Sequence, residues 1–259
     1  MASLAGKRVL VTRAVEQAGA FVMQLQELGA RVVECPTIQL APPEQWEPVD
    51  AALRQLSDVD WLILTSANGV RFFFERLVEL GLSAAALQGC KICVVGPKTA
   101  EALTLRGVTA DLVPEQFTGE GVVAAFAVHD LRGKRVLFPK AAGARDVIPR
   151  LLAAQGAEVL DPVLYRTLLP EQLPEAARNA LERHELDLAI FSAPSTVQNL
   201  ALLVGGADRL VQLLQGVAVA SIGPITSRAC RELGLTVAVE PTQATLPYLL
   251  AALEASAIT

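Results

Sequence analysis

An internal repeat constrains the fold of this chain more than any other feature of its sequence. The pentapeptide Gly-Lys-Arg-Val-Leu at residues 6–10 returns unchanged at residues 133–137, a displacement of 127 positions. The same displacement relates Asp60 to Asp187, and the Gly-Pro pair at residues 96–97 to a second pair at 223–224. Because one ungapped shift aligns residues along the chain, the sequence indicates an internal duplication of a structural unit.

Each copy alternates short apolar runs with longer stretches of helical periodicity. Residues 6–13 predict a strand, helical periodicity continues to Leu28, and residues 31–36 predict a second strand. A strand–helix–strand unit of this kind implies parallel strands and a right-handed crossover. A helix is predicted from Val70 to Leu80, and further strands are predicted at residues 61–66, 91–95 and 110–113. The fold class is therefore α/β with parallel sheets, and the repeat taken alone predicts tandem domains divided near residue 130.

Composition and charge exclude several classes of protein. Hydrophobic residues make up 52% of the 259 residues, which predicts a globular chain with a large core in one or two domains. The net charge is −5 and there is no run of Lys and Arg, so nucleic acid is not expected as a partner. No apolar run approaches the ~20 residues that span a bilayer, so no membrane partner is expected. The first ten residues lack a signal-peptide pattern, and we expect a cytoplasmic protein.

Cys90 and Cys93 form a C-x-x-C pair, a spacing used in redox and metal sites. They flank the start of a predicted strand, where residues three apart point to opposite faces. No second pair and no nearby histidine completes a ligand set, and His129 and His184 have no ligand-spaced partner. Structural thiols are the better interpretation, and no metal is expected.

Familiar cofactor motifs are mostly absent from the sequence. There is no P-loop and no G-x-S-x-G elbow. Gly119-x-Gly121 looks like part of a dinucleotide fingerprint, but no acid for a ribose follows the next strand. Thr118 as a helix N-cap explains this segment better, and no cofactor is expected.

Polar residues recur where predicted strands end, which is the edge at which open α/β sheets bind ligands. They are Arg13, Ser66, Asn68 and Thr99 in the first copy, with Lys140, Ser192, Ser195 and Thr226 in the second. Any one hydroxyl is explained by helix capping. Together they favour a binding cleft between two facing sheets, where helix N-termini would bind carboxylates or phosphates.

The ordered set of segments resembles the uroporphyrinogen-III synthase family. The matching segments cover nearly the whole chain and are residues 6–13, 61–70, 95–100, 133–146, 163–167 and 222–226. The resemblance implies two similar flavodoxin-like domains joined by a two-strand hinge. The first domain would comprise residues 1–37 and 168–259 and the second residues 38–167, with crossing strands near 37–40 and 165–169.

The resemblance also implies a function. The family closes hydroxymethylbilane, a linear tetrapyrrole, to uroporphyrinogen III with loss of water and inversion of the last pyrrole ring, without metal or cofactor. Tyr165 matches the family's tyrosine near the crossover and would assist departure of the hydroxyl, although packing at the hinge explains it equally well. We expect a monomer.

The same resemblance implies roles for the polar strand ends. Hydroxyl and amide groups would bind the acetate and propionate groups of the substrate, two cations would supply charge, and two threonines would line the cleft. The hydroxyl and amide groups are those of Ser66, Asn68, Ser192 and Ser195, the cations are Arg13 and Lys140, and the threonines are Thr99 and Thr226. The sequence departs from the family at residues 192–195, where Ala193 widens the usual Ser-Pro-Ser spacing and weakens the assignment of Ser195. Arg145 is interpreted as structural.

Two other classes of function stay open at this point. A non-catalytic two-domain protein that binds small anions would leave hydroxymethylbilane to close spontaneously to the type I isomer. A nucleotide-dependent transferase of two α/β domains would show saturable nucleotide binding.

Overall fold

The computed structural model describes residues 4–256, without the side chains of residues 15–17. Residues 1–3 and 257–259, at the ends of the first expected domain, lie outside the described part. The chain divides into two compact units, the first comprising Met1–Gln39 with Leu168–Thr259 and the second comprising Leu40–Thr167.

The first unit contains a five-stranded parallel sheet with helices along the chain between its strands. Its strands are β1 (Arg8–Val11), β2 (Arg31–Glu34), β10 (Leu188–Phe191), β11 (Ala218–Ser221) and β12 (Val237–Val239). Its helices are α1 (Val15–Glu27), α7 (Glu175–Glu182), α8 (Pro194–Val204), α9 (Ala207–Leu213), α10 (Pro224–Glu232) and α11 (Leu246–Ala255). The strand order is β12-β11-β10-β1-β2, and all four pairings are parallel.

The second unit contains a four-stranded parallel sheet. Its strands are β4 (Trp61–Leu64), β5 (Lys91–Val94), β6 (Arg135–Leu137) and β8 (Glu158–Leu160), in the order β5-β4-β6-β8. Its helices are α2 (Glu47–Arg54), α3 (Ala67–Glu79), α4 (Pro97–Thr104), α5 (Gly119–Phe126) and α6 (Val147–Ala154), with short 3₁₀ helices at Leu56–Asp58 and Ala84–Leu87.

Three short strands form a separate sheet at the connection between the units. They are β3 (Gln39–Ala41), β9 (Val163–Leu168) and β7 (Lys140–Ala141), in the order β3-β9-β7. Strand β9 carries the chain out of the second unit, and β7 pairs with it in parallel.

Four strands of the five-stranded sheet correspond under the repeat to the four strands of the other sheet. A displacement of 127 residues carries β4 onto β10, β5 onto β11, β1 onto β6 and β2 onto β8. Each sheet therefore takes two neighbouring strands from the first copy of the repeat and its remaining strands from the second copy. The α/β class with parallel sheets in two duplicated units is confirmed.

A repeated aspartate joins the two copies within each unit. Asp187 lies before β10, receives the backbone N–H of Arg8 at 2.8 Å and lies 3.2 Å from Lys7 Nζ. Asp60 lies before β4, receives the Arg135 N–H at 2.9 Å and lies 2.8 Å from Lys134 Nζ. The recurring Gly-Lys-Arg segment and its aspartate are thus two halves of one interaction.

Asp60→Asn is expected to destabilise the protein at neutral pH. The hydrogen bond from Lys134 lowers the pKa of Asp60 below its usual range. A lowered pKa in the folded state means that the stabilisation is present above the unfolded value, near pH 4, and is lost as pH falls towards the folded value. The side chain is 33% exposed, so solvent screening limits the expected loss to about 1 kcal/mol at pH 7.

Urea unfolding at pH 7 and at about pH 3 measures this effect, and the difference between wild type and variant should shrink at the lower pH. Asp208→Asn is the control, because Asp208 is an exposed aspartate in the first turn of α9. An equal loss of stability in both variants, or a deficit independent of pH, would contradict the assignment.

Both faces of each large sheet are buried, which explains the continuous apolar runs of its strands. In the first unit, Leu10 and Phe191 pack into a core on one face, whereas Val9 and Ile190 pack into a second core on the other. The second unit repeats this arrangement with separate cores on its two faces.

The strand predicted at residues 110–113 was wrong. Leu112 makes only a single bridge to Cys93, although β12 forms a strand at the equivalent position of the first unit. The Asp111 carboxylate accepts the backbone N–H of Ile92 at 2.7 Å, so that amide is not available to a longer ladder. The strand predicted at 61–66 also ends earlier, at Leu64, because the helix begins at Ala67 rather than Val70.

The two cysteines of the C-x-x-C pair lie on opposite sides of the sheet, as predicted. Cys93 is buried in one core, and Cys90 precedes β5 and packs against the other while remaining half-buried. Burial raises the pKa of each thiol to about 12, so neither is a thiolate at neutral pH. Within residues 4–256, no helix has the length and apolar character needed to cross a bilayer.

Candidate functional site

The carboxyl end of β4 leads directly into a capped helix. Ser66 adopts an extended conformation before α3, and its Oγ accepts the backbone N–H of Gly69 at 2.9 Å. Serine suits this position because its short side chain returns to an amide that has no partner inside the helix. The capping alternative weighed for Ser66 is therefore present in the structure.

Tyr165 lies on β9 with its hydroxyl 3.0 Å from the same Ser66 Oγ. Its ring stacks on Phe72 of α3, with the ring centroids 5.2 Å apart and the planes 9° from parallel. The residue is only 8% exposed, so both its ring and its hydroxyl are held in one orientation. Packing and hydrogen bonding thus occur together at Tyr165.

Phe72 is a contact that the sequence interpretation missed. It belongs to a run of three phenylalanines, all buried, and only the rotation of α3 decides which ring meets Tyr165. The guanidinium carbon of Arg71 lies 4.5 Å from the centroid of the Phe72 ring. The aromatic run itself was the available signal, since helical periodicity places one ring of three towards a given neighbour.

Lys140 is held by two carboxylates of its own unit. Its Nζ lies 2.6 Å from Asp161 Oδ2 and 2.8 Å from Asp146 Oδ1, and its side chain is 14% exposed. Burial by itself would lower the pKa of Lys140, but the hydrogen bonds to Asp146 and Asp161 outweigh burial and raise it. Its charge is thus largely neutralised where it lies, and the two aspartates were not anticipated from the sequence.

The other predicted residues of the second unit differ in access to solvent. Thr99 lies in the first turn of α4, is 3% exposed and donates its hydroxyl to the Val95 carbonyl at 2.9 Å. Asn68 lies in the first turn of α3 and is half-buried. Arg145 is exposed, and its guanidinium lies 3.7 Å from the Glu120 carboxylate.

In the first unit, the predicted residues follow three adjacent strands. Arg13 follows β1 and Ser192 follows β10, which are neighbours in the sheet, and both residues are half-buried. Burial lowers the pKa of Arg13, yet a guanidinium stays protonated at neutral pH. Ser195 is exposed in the first turn of α8, whereas Thr226 is 2% exposed in the first turn of α10.

A buried hydroxyl network supports the start of α10 and was not anticipated. Ser221 Oγ lies 2.5 Å from Ser227 Oγ, and Ser227 donates to the carboxylate of Glu240. The turn at Gly223 packs closely against the following loop, since a Cβ there would lie 2.8 Å from Ala244 Cβ. This network fixes the turn that carries Thr226.

Thr118 caps α5 as predicted, with its Oγ1 accepting the Gly121 N–H at 3.0 Å. The glycine at position 121 lies against the Gln116 backbone. Close packing between helix and loop therefore explains this glycine.

Comparison with known proteins identifies the family. The model for "Uroporphyrinogen-III synthase HemD" matches residues 19–251. The uroporphyrinogen-III synthase of Synechococcus elongatus is 41% identical over 255 residues, covering 97% of this chain and 96% of that protein. The chain belongs to the uroporphyrinogen-III synthase family. The resemblance inferred from the ordered segments is thus confirmed.

Solved structures of the uroporphyrinogen-III synthase family share the fold of this chain. A mutant uroporphyrinogen III synthase of the extremely thermophilic bacterium Thermus thermophilus aligns with a TM-score of 0.58 at 24% identity, covering 95% of this chain and 96% of that one. The uroporphyrinogen-III synthetase of Helicobacter pylori also gives 0.58, at 18% identity, with coverage of 95% and 97%. At these identities the likeness shows the two-domain α/β fold.

In this member of the uroporphyrinogen-III synthase family, Ser66 and Tyr165 bring two hydroxyl groups within 3.0 Å of each other. A phenol can donate a hydrogen bond or a proton to a departing oxygen, and a fixed ring gives that donor a direction. Among residues 4–256, excluding the undescribed side chains, no group of three or more His, Cys, Asp and Glu is arranged to hold a metal ion.

Proposed function

We propose that this chain closes hydroxymethylbilane to uroporphyrinogen III, with loss of water and inversion of the last pyrrole ring, as a lyase. Membership of the uroporphyrinogen-III synthase family over most of the chain carries this proposal. The proposal assigns binding and orientation to the protein, because the pyrroles themselves supply the electrons of the reaction.

The reaction begins at the terminal hydroxyl of the substrate. This hydroxyl accepts a proton from Tyr165 and leaves as water, which produces an electrophilic azafulvene in its protonated form. The last pyrrole attacks through its already substituted α-carbon, giving a spiro intermediate that breaks and closes again with that ring inverted. Loss of a proton from the ring restores the aromatic pyrrole and balances the proton donated at the start.

The acetate and propionate groups of the substrate are assigned to the partly accessible polar residues. In the first unit these are Arg13, Ser192 and Ser195, and in the second unit Asn68. Free amides at helix starts provide further anion-binding groups without any basic side chain.

Thr99 and Thr226, both buried, are assigned the role of shaping the helix starts beside the substrate. Lys140 is assigned to a strand end of the second unit, where the carboxylates of Asp146 and Asp161 hold its ammonium group. In this proposal, the two threonines that were expected to line the cleft instead support the residues that contact the ligand.

A coupled assay tests the function. Hydroxymethylbilane is generated enzymatically, the product is oxidised, and the type I and type III isomers are separated by chromatography. The proposal requires the type III isomer in an amount that rises with protein concentration. Type I alone would overturn the proposal and favour a non-catalytic protein that binds small anions.

We further propose that the protein is cytoplasmic and monomeric. Light scattering coupled to gel filtration should give a mass near 27.4 kDa, the mass of one chain. A mass of twice that value would overturn the monomer, and isomer formation would be unaffected by that result.

A further inference from the structure

The repeat allows each residue of the Tyr165 contact to be compared with its counterpart in the other unit. Displacement by 127 residues carries Ser66 to Ala193 and Phe72 to Asn199, and Tyr165 corresponds to Ile38. All three members of the contact are therefore replaced in the other copy. The scaffold was duplicated, but this contact exists in one unit alone.

We propose that Ser66 is a positioning residue for Tyr165, holding its phenolic oxygen so that its proton points to the leaving hydroxyl of the substrate. This inference rests on the proposed function, because it assigns a role within the same site. It also replaces the earlier interpretation of Ser66 as a ligand of substrate carboxylates.

The hydrogen-bond geometry allows the direction that the proposal requires, with Ser66 as donor and Tyr165 as acceptor. The Gly69 N–H donates to one acceptor position of Ser66 Oγ at 2.9 Å, and the Tyr165 hydroxyl lies 3.0 Å from the same oxygen, where either hydroxyl can be the donor. A hydroxyl has one hydrogen and two acceptor positions, so the tyrosine hydrogen is available to a ligand in the arrangement in which Ser66 donates to Tyr165. The chain of donors starts at the N-terminus of the 13-residue helix α3, whose dipole favours negative charge at that end.

Capping alone does not account for Ser66. The equivalent helix α8 begins after Ala193 with no side-chain cap, and Thr196 donates its hydroxyl to the Ala193 carbonyl at 2.7 Å. Asn199 there donates to the Thr37 carbonyl at 3.0 Å, beside Ile38. The equivalent helix of the first unit thus begins without a serine hydroxyl, so the fold does not require a serine at this position.

Kinetics separate positioning from substrate binding. Ser66→Ala is expected to lower kcat about tenfold and to leave KM within about twofold, because an unoriented donor slows the chemical step. Ser66→Thr keeps the hydroxyl and the cap and should restore most of kcat. Thr118→Ala, which removes the N-cap of α5 in the same unit, controls for lost capping and should keep wild-type kinetics.

A double variant tests whether Ser66 acts through Tyr165. If it does, Ser66→Ala combined with Tyr165→Phe should be no slower than Tyr165→Phe alone. Independent effects that multiply, or a raised KM with unchanged kcat in Ser66→Ala, would overturn the proposal.

Fluorine NMR provides a test that does not depend on activity. The chain contains two tyrosines, so labelling with 3-fluorotyrosine gives two resonances, and Tyr248→Phe assigns the one from Tyr165. Ser66→Ala should shift the Tyr165 resonance, whereas Thr118→Ala should leave it in place. An unmoved resonance in Ser66→Ala would overturn the contact. Formation of type I product alone by the wild type would overturn the proposed function, and the fluorine spectra would still decide the contact.

Discussion

Tyr165→Phe is expected to reduce kcat for formation of uroporphyrinogen III by about 100-fold, the lower range for loss of a general acid. The ring should stay in place, because phenylalanine keeps the stacking on Phe72 at 5.2 Å. Ser66 keeps its bond from the Gly69 N–H, so loss of the phenol should cost about 1 kcal/mol of stability or less. Steady-state kinetics of isomer formation and urea unfolding measure the two quantities separately.

Tyr248→Phe is the matched control for this variant. Tyr248 is half exposed on α11 of the first unit, and its replacement should leave both kcat and stability close to wild type. Full activity in Tyr165→Phe would remove the phenol from the mechanism and leave packing at the connecting strand as its role.

Gly121→Ala is expected to destabilise the second unit by about 2–3 kcal/mol, as overpacking in a closely packed segment does. A Cβ at this position would overlap the backbone carbonyl oxygen of Gln116 and lie 2.8 Å from Gln116 Cβ. The loop cannot withdraw freely, since Thr118 caps the helix and donates its own N–H to the same carbonyl. The free energy of unfolding from urea denaturation measures the loss.

Gly119→Ala is the control from the same helix. A Cβ there would lie 3.5 Å from Val147, an ordinary van der Waals contact, and alanine is the better helix former. Stability should be unchanged or slightly higher in that variant. If both variants lost the same stability, helix propensity or unfolded-state effects would replace the close contact as the explanation.

Much of the fold was predictable because its determinants act over short distances along the chain. Apolar runs predicted β1, β4 and β5, and the glycine at position 29 ends the first helix in the left-handed region, with φ 86°. The prediction of a strand at residues 110–113 was wrong because the Asp111 carboxylate, and not a backbone carbonyl, accepts the N–H of Ile92. A periodicity of two residues carries no information about that substitution.

The candidate site was predictable only as a set of residue types at strand ends. Ser66 and Thr118 could be recognised as helix caps from residues within three positions of each. The neutralisation of Lys140 by Asp161 and the stacking of Phe72 on Tyr165 could not, because each joins elements brought together by folding. The assignments of individual residues to substrate carboxylates stay predictions.

The sequence by itself determined the α/β class, the duplication and the family, since repeated local patterns and ordered motifs encode all three. The repeat taken alone left open which copies share a sheet, and the family resemblance implied a division into residues 1–37 with 168–259 and residues 38–167. The repeat predicts tandem domains, yet Val9 pairs with Leu188 and Trp61 pairs with Val136, so each sheet combines both copies. Only the tertiary structure joined Ser66 to Tyr165, 99 positions apart. The physical reason is that such pairings depend on which surfaces are buried together, and a local pattern is compatible with several partners.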